Sequence, residues 1–343
     1  MPRVDGVRWM FLVLPIAVVL LLMVSTMAAV PLTDARSTQL TSPTTVGSIS
    51  HPSARWVSPM TYDAKDGYTM MFGGGAGSKV LSDTWTYKAG TWTKLAPTKH
   101  PSARGTASLV YDAKDGYVLL FGGTNGVSLF GDTWKFAGGN WTKLHTTVAP
   151  APRYGAGIAY DAKDGYVVLF GGQGANGLLS DTWAFSHGHW TLLTPSVSPP
   201  PRRSGGMTYD GSDGYVLLFG GLSYYDTADT WTFVGGVWTH LLPTTAPGVR
   251  VALAMAYDAK NGYVVLFGGR DDNTSTLLGD TWTFHGGVWT LRNPSLSPAA
   301  RQWPGFAYDA ADHYVVMFGG GSSLSSPPSV LGDTRTYAAG VWT

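Results

Sequence analysis

Cysteine is absent from the 343 residues, and so is glutamate: all 22 acidic residues are aspartate. Without cysteine there are no disulfides, no thiolate metal ligands and no thiol nucleophile. Without glutamate the chain lacks a strong helix former and keeps an acid suited to turns and caps. Together with 45 glycines and 21 prolines, this composition describes a turn-rich β protein. Net charge is missing too. Over residues 37–343 the basic and acidic residues number 20 each, so a nucleic-acid binder's electrostatic footprint is absent. No 3.6-residue apolar pattern runs through the rest of the chain, which excludes a helical solenoid.

What the chain has instead is repetition. A block of Tyr-Asp-Ala-Lys-Asp-Gly-Tyr, an apolar run, Phe-Gly-Gly and a later Asp-Thr-Trp recurs, with small departures, six times. The paired glycines fall at Gly73/Gly74, Gly122/Gly123, Gly171/Gly172, Gly220/Gly221, Gly268/Gly269 and Gly319/Gly320, spaced 49, 49, 49, 48 and 51 residues. A fixed period of this size marks units that cannot bury their apolar surface alone. The units run about 51–99, 100–148, 149–197, 198–245, 246–296 and 297–343, leaving no room among them for a separate catalytic domain.

Ahead of the array, Arg3 and Arg8 precede an uncharged, largely apolar run of 22 residues from Trp9 to Val30. A membrane-spanning helix needs about 20 such residues and a cleaved signal core about 7–15, so the length favours an uncleaved hydrophobic helix. Small residues at Ser25-Thr26-Met27-Ala28-Ala29 keep a cleaved signal peptide open. Segment 1–30 is thus a signal peptide or membrane anchor, and 31–50, rich in Ser, Thr and Pro, is a flexible linker. Positive charge before the run places the rest outside the cytoplasm, membrane-anchored or secreted.

Residues 153–193 show what one unit contains. Tyr154 to Tyr160 is small and apolar, and Asp161-Ala162-Lys163-Asp164-Gly165 supplies turn residues. Tyr166-Val167-Val168-Leu169-Phe170 is apolar without alternation, as in a strand buried on both faces. After Gly171-Gly172 and a variable loop, Trp and Phe alternate with small residues in Asp181-Thr182-Trp183-Ala184-Phe185. His187-Gly188 turns the chain into a fourth strand around Trp190. A lone four-stranded meander leaves its second strand wet; six arranged radially cover one another as a propeller.

These features resemble the Kelch repeat: Gly-Gly after an apolar strand, an aromatic strand downstream, a later Trp, and a Pro/Arg-containing lead into the next unit. The likeness covers about 85% of the chain in register. It implies an all-β, six-bladed Kelch-type β-propeller with four antiparallel strands per blade, the first nearest the axis and the fourth outermost. The same fold occurs in galactose oxidase, and that resemblance implies a copper-radical cofactor built from Tyr cross-linked to Cys, with His ligands. A chain without Cys cannot form the cross-link. No cofactor is expected. The sixth blade departs from the pattern: Arg335 stands for the third-strand Trp, His313 for the turn Gly, and the chain stops at Thr343. Since each blade keeps its own strands, ring closure is expected from contact between blades 1 and 6. Trp56 and Trp303, in the first strands of those blades, are candidates to fill the seam; an edge strand from residues 44–50 is the alternative.

In such a meander the turns between strands 1 and 2 and between 3 and 4 share one face. The other face collects the variable loops 75–82, 124–131, 173–180, 222–228, 270–279 and 321–332, and variation there marks it as the binding face. One charged position on that face is constant. Arg55, Arg104, Arg153, Arg202, Arg250 and Arg301 each lie 18 residues before the first glycine of their pair and are expected to ring the channel mouth. The six suit an anion or carboxylate site. Alternatively each pairs with a neighbouring blade's Asp or carbonyl and locks the ring, which strict repetition favours.

The aspartates repeat at Asp63, Asp66, Asp83 and their equivalents, with Asn261 the one substitution. A calcium ladder is incomplete, and turn hydrogen bonding is the reading we prefer. Acids beside the loops, Asp226, Asp229, Asp271 and Asp272, are the material for a paired-carboxylate glycoside hydrolase, which needs two acids in unlike environments. The eight His show no metal or triad spacing, and no metal site is expected. Tyr154, Tyr224 and Tyr225, joined by Trp56, Trp303 and Phe130, are suited to stack on sugars or anchor a protein. The expected function is therefore an extracytoplasmic, non-catalytic binding module for a protein or glycan at the loop face, with no nucleic-acid partner and membrane contact only through the N-terminal segment. The alternative is an extracellular carbohydrate-active enzyme using the same loops.

Overall fold

Each repeat folds into one four-stranded antiparallel sheet with its strands in chain order. The computed structural model describes residues 51–343. The apolar run, the linker and the suggested edge strand near 44–50 lie outside the described residues. In blade 1 the strands are β1 (Met60–Asp63), β2 (Tyr68–Ala76), β3 (Lys79–Lys88) and β4 (Thr91–Leu95). The first strand of each sheet touches the first strands of the sheets before and after it, and those of blades 1 and 6 touch each other. Six sheets therefore close into a propeller, with strand 1 innermost. Among the described residues there is no helix, so none is long and apolar enough to cross a membrane.

The unalternating apolar run of strand 2 serves two cores at once. On β2, Met70 and Phe72 pack into blade 2 with Leu109, Val118 and Trp141. Met71, on the opposite face, packs into blade 6 with Ala307, Val316 and Phe318. Strand residues point alternately to the two faces, so an all-apolar strand is what a sheet between two sheets requires. Fourth-strand tryptophans bridge these interfaces. Each lies on the strand-2 Phe of the preceding blade, as Trp190 does on Phe121 at 5.2 Å between centroids.

Three belts of hydrogen bonds join neighbouring blades, and each includes the seam between blades 6 and 1. In the first, the second glycine of each pair donates its N–H to the carbonyl of the next blade's repeated Arg, at 2.8–3.0 Å. That approach explains the glycines: a Cβ at Gly171 would lie 2.6 Å from the Arg202 carbonyl oxygen, at φ +66°. In the second belt, Val57, Thr106, Gly155, Ser204, Ala252 and Trp303 form a closed cycle around the axis. Each donates its N–H to the carbonyl of the one before, at 2.8–3.1 Å. All six take positive φ, between +47° and +65°, although five of them are not glycine. In the third, each fourth-strand Trp indole donates to the preceding blade's third-strand Thr hydroxyl, at 2.9–3.1 Å. The ring thus closes by the bonds that join every other pair of blades, with no strand exchanged between sheets.

Several local expectations need revision. In blade 3 the first strand begins at Gly157, so Tyr154 precedes it and joins the sheet only by an isolated bridge to Gln173. Likewise Trp56 and Trp303 lie ahead of strands that begin at Met60 and Gly305. Four of the six variable loops are continuations of the strand 2–3 hairpin beyond the glycine bulge, as with Gly74↔Leu81 and Ala76↔Lys79 in blade 1. Only in blades 2 and 6 does strand 2 stop at the Phe before the glycines. Blade 6 absorbs its substitutions. Arg335 donates to Asp333, as the Trp at that position donates to its Asp in the other five blades. His313 adopts φ +62° where the equivalent glycines have +68° to +74°.

Candidate functional site

The repeated arginines do not ring the channel mouth with their guanidinium groups. All six are at most 2% exposed, and none borders the cavities along the axis. Each pairs in two-pronged fashion with the Asp that opens Asp-Thr-Trp (or Asp-Thr-Arg) in its own blade, as Arg153 does with Asp181 at 2.6 and 2.7 Å. The partner is thus in the same blade, 27 to 32 residues downstream, and not in a neighbour. A further guanidinium N–H reaches the carbonyl of the first glycine, and Nε reaches the carbonyl two residues back. At Arg55 all five donors are engaged, the last by Ser53. Burial pushes the Asp181 carboxyl up, but Arg153 and the Trp183 indole outweigh it and hold the carboxyl below the usual range. Asp83, Asp132, Asp229, Asp280 and Asp333 behave alike. Breaking such a buried pair leaves a charge without compensation.

The repeated turn aspartates are also bonded within the scaffold, though not through every oxygen. Asp161 accepts the backbone N–H groups of Lys163 and Asp164 through Oδ1, and Asp164 accepts the Tyr166 hydroxyl and the Gly235 N–H of the next blade. In Asp112, Asp161 and Asp210 the buried Oδ2 has no partner, and burial raises all three carboxyls. Blade 5 supplies that oxygen differently: Asn261 donates its side-chain amide to Asp258 Oδ2 at 2.8 Å. Among the described residues no cluster of three or more His, Cys, Asp or Glu is arranged to hold a metal ion.

The residue after each repeated Arg is bridged to the segment that follows the glycine pair of its own blade; around the ring these are Trp56, Gly105, Tyr154, Arg203, Val251 and Gln302. No two are alike. Trp56, Gly105, Tyr154 and Arg203 line the mouth, whereas Val251 and Gln302 are buried. Trp56 and Trp303 meet edge to face at 5.1 Å, so the two seam tryptophans do touch, at the mouth. Both indole N–H groups are buried without a partner. Two arginines outside the repeat pattern stand beside the aromatics. Arg203 lies over the Tyr154 ring at 5.6 Å, and Arg270, from the blade 5 hairpin, lies over Trp303 at 4.7 Å. Arg270 is also bound by Asp272 at 2.5 Å and by Gln302 at 2.7 Å.

A cleft of about 510 Å³ opens here, lined by Trp56, Trp303, Tyr154, Arg203, Lys79 and residues of the blade 1 and 2 hairpins. An adjoining recess of about 410 Å³ shares Trp56, Arg203 and Trp303 and adds Arg270 and Asp272. Below the six-residue backbone cycle the channel continues toward the turn face, where Tyr62, Tyr160, Tyr209, Tyr257 and Tyr308 line it.

The remaining predicted residues separate. Tyr224 and Tyr225 stand at the tip of the blade 4 hairpin, 84% and 78% exposed, and do not line the cleft. Phe130 covers the Arg104 guanidinium at 4.0 Å. The four loop acids do not form a pair: Asp229 is the blade 4 member of the Arg-bound set, and Asp271 caps its own turn. Asp272 is tied to Arg270, while Asp226 is buried and accepts the Asp272 backbone N–H. Burial raises the Asp226 carboxyl, and its Oδ1 has no partner. Sequence reasoning overlooked Arg203, Arg270 and Lys79. For Arg203 the available signal was the position following the constant Arg, which differs in all six repeats. No family model and no curated protein matches this chain.

Proposed function

We propose that this protein is a Kelch-type propeller that works by binding, outside the cytoplasm, a protein or glycan through its hairpin face. The observation that carries the reading is a division of labour among its residues. Side chains that repeat are engaged within the scaffold, whereas Trp56, Tyr154, Arg203, Arg270 and Trp303 do not repeat and gather around one cleft. A cleft of about 510 Å³, walled by aromatic groups with a few placed polar ones, has the size and lining of a ligand site. Export is inferred from the basic residues Arg3 and Arg8 ahead of the apolar run. Kelch identity is inferred from the glycine pairs, the fourth-strand tryptophans and the Pro/Arg lead recurring in every unit.

Against the enzyme reading stands the state of the acids. Asp226 has the raised carboxyl of a general acid, but each acid near it is engaged with Arg270, Arg202 or its own turn. Two free carboxyls facing one gap are the requirement for glycoside hydrolysis. The test is a glycan and peptide array probed with the purified full chain, with product analysis of every retained compound. Retention lost on Trp56→Ala supports the cleft. Retention lost on Tyr224→Ala/Tyr225→Ala alone moves the site to the hairpin tip. Turnover of a retained sugar defeats the binding-only reading.

A further inference from the structure

The distribution of charge in the cleft separates two kinds of ligand. Its lining contains two cations, Lys79 and Arg203, and no acid. The chain as a whole balances its charges, so this is a local excess. Arg270, in the adjoining recess, is neutralised by Asp272 at 2.5 Å. Arg203 differs: its backbone is held by Leu222, while its guanidinium lies beside the Tyr154 ring, with no carboxylate among the described residues within ion-pair distance. It is half-buried and stands at the boundary of both compartments. A half-desolvated guanidinium without an anion is poised to take one, and its forked donors match a carboxylate.

The same walls describe what the anion is attached to. Trp56, Trp303 and Tyr154 expose part of their rings, and both indole N–H groups point into the protein. The indoles therefore offer apolar surface and not polar tips. Ser326 adds a hydroxyl, those of Thr106 and Thr124 being given to the carbonyls of Gly105 and Ser128, and Val57, Val80, Val127 and Leu129 add aliphatic surface. Aromatic and aliphatic surface for C–H faces, with Arg203 at its edge for an anion, is the complement of a sugar ring bearing a carboxylate. We infer that the cleft selects a carboxylated sugar, its carboxylate bound by Arg203 and its ring against Trp56 and Tyr154; this rests on the binding reading above. Lys79, exposed on the blade 1 hairpin, adds attraction at longer range.

Titration calorimetry of the full chain tests this with three probes: an oligogalacturonate, an oligoglucuronate and an N-acetylneuraminate-terminated trisaccharide. Each is compared with its own methyl ester, which keeps the rings and removes the charge. At least one acid should bind about tenfold or more tighter than its ester, the scale of a charge-assisted pair. Arg203→Gln should remove that preference without changing the melting temperature, because Arg203 has no role in the interblade belts through its side chain. Lys143→Gln, an exposed charge on the outer strand of blade 2, should leave the preference intact. Equal binding of acid and ester, or a preference that survives Arg203→Gln, overturns the carboxylate while leaving a glycan-binding cleft. Failure of every acid and ester, with another compound retained through Trp56, overturns it as well. If Trp56→Ala alters the retention of nothing, the cleft itself falls.

Discussion

The two faces of the disc are built from the same strands and behave oppositely. On the turn face every blade presents the same Asp-led turn, and the second acid of several turns reaches across to the next blade, as Asp213 does to the Gly286 N–H. On the hairpin face the six strand 2–3 connections differ in length and in whether the ladder continues past the glycines. The ring does not register the difference. Its bonds there come from main chain, through the glycine pair, the repeated Arg and the positive-φ cycle, and main-chain bonds tolerate any side chain the backbone allows. The scaffold therefore leaves the residue after each Arg undetermined, and that is where unlike residues collect.

The strongest way to break this contrast is to attack a repeated position. Arg153→Gln should destabilise by about 3 kcal/mol, because half-buried Asp181 and the Gly171 carbonyl lose their guanidinium partner. Urea unfolding measures it. A stability near that of the parent would return the six arginines to the list of ligand groups. Gly171→Ala comes next. A Cβ 2.6 Å from a neighbouring backbone carbonyl, at φ +66°, should cost about 1–3 kcal/mol by strain and displace blade 4 from blade 3. A smaller loss, about 1 kcal/mol, is expected for Trp190→Phe, which keeps the aromatic contact with Phe121 and removes the bond to Thr133.

The smallest effect sharpens the contrast between the two aspartate sets through pH. Arg-paired carboxyls have folded values below the unfolded one of about 3.9, so their contribution is complete above it and lost as pH falls through the folded values. Asp161 and its raised equivalents have the opposite sign. Their contribution is complete below the unfolded value and is lost as pH rises through the folded one. Stability should thus fall in strong acid and gain a little when the turn set is corrected. Asp164→Asn copies blade 5, where Asn261 donates to Asp258 Oδ2, and should lower the Asp161 titration, read by carboxyl-carbon NMR. An unmoved titration would leave burial alone as its cause.

Much of this architecture was legible in the chain. Doubly buried strand 2 announces itself because both sets of alternate residues are apolar, and the Asp-led turns because Gly165 and its equivalents recur at a positive-φ position. The Arg–Asp pairs were half legible. Repetition marked both partners as structural, but whether Arg153 meets Asp181 or the Asp of the next blade depends on side-chain direction across a bulged ladder. The substitution of Arg335 for Trp looked like decay of the pattern. It preserves the one property the site needs, an N–H donor toward Asp333.

Local chemistry, read from residues alone, was enough to specify the unit, its number and the order of its strands, because burial pattern and turn residues act within a few positions of one another. Which unlike residues share the mouth was decided in three dimensions. Trp56 and Trp303, which the sequence offered as candidates for the seam, stand 247 positions apart and meet because the ring closes, at the mouth and not in the first strands. Arg203 reaches Tyr154 because successive blades bring equivalent positions side by side around one axis. Side-chain contacts between blades have no signature in neighbouring residues, and the candidate site is built largely from them.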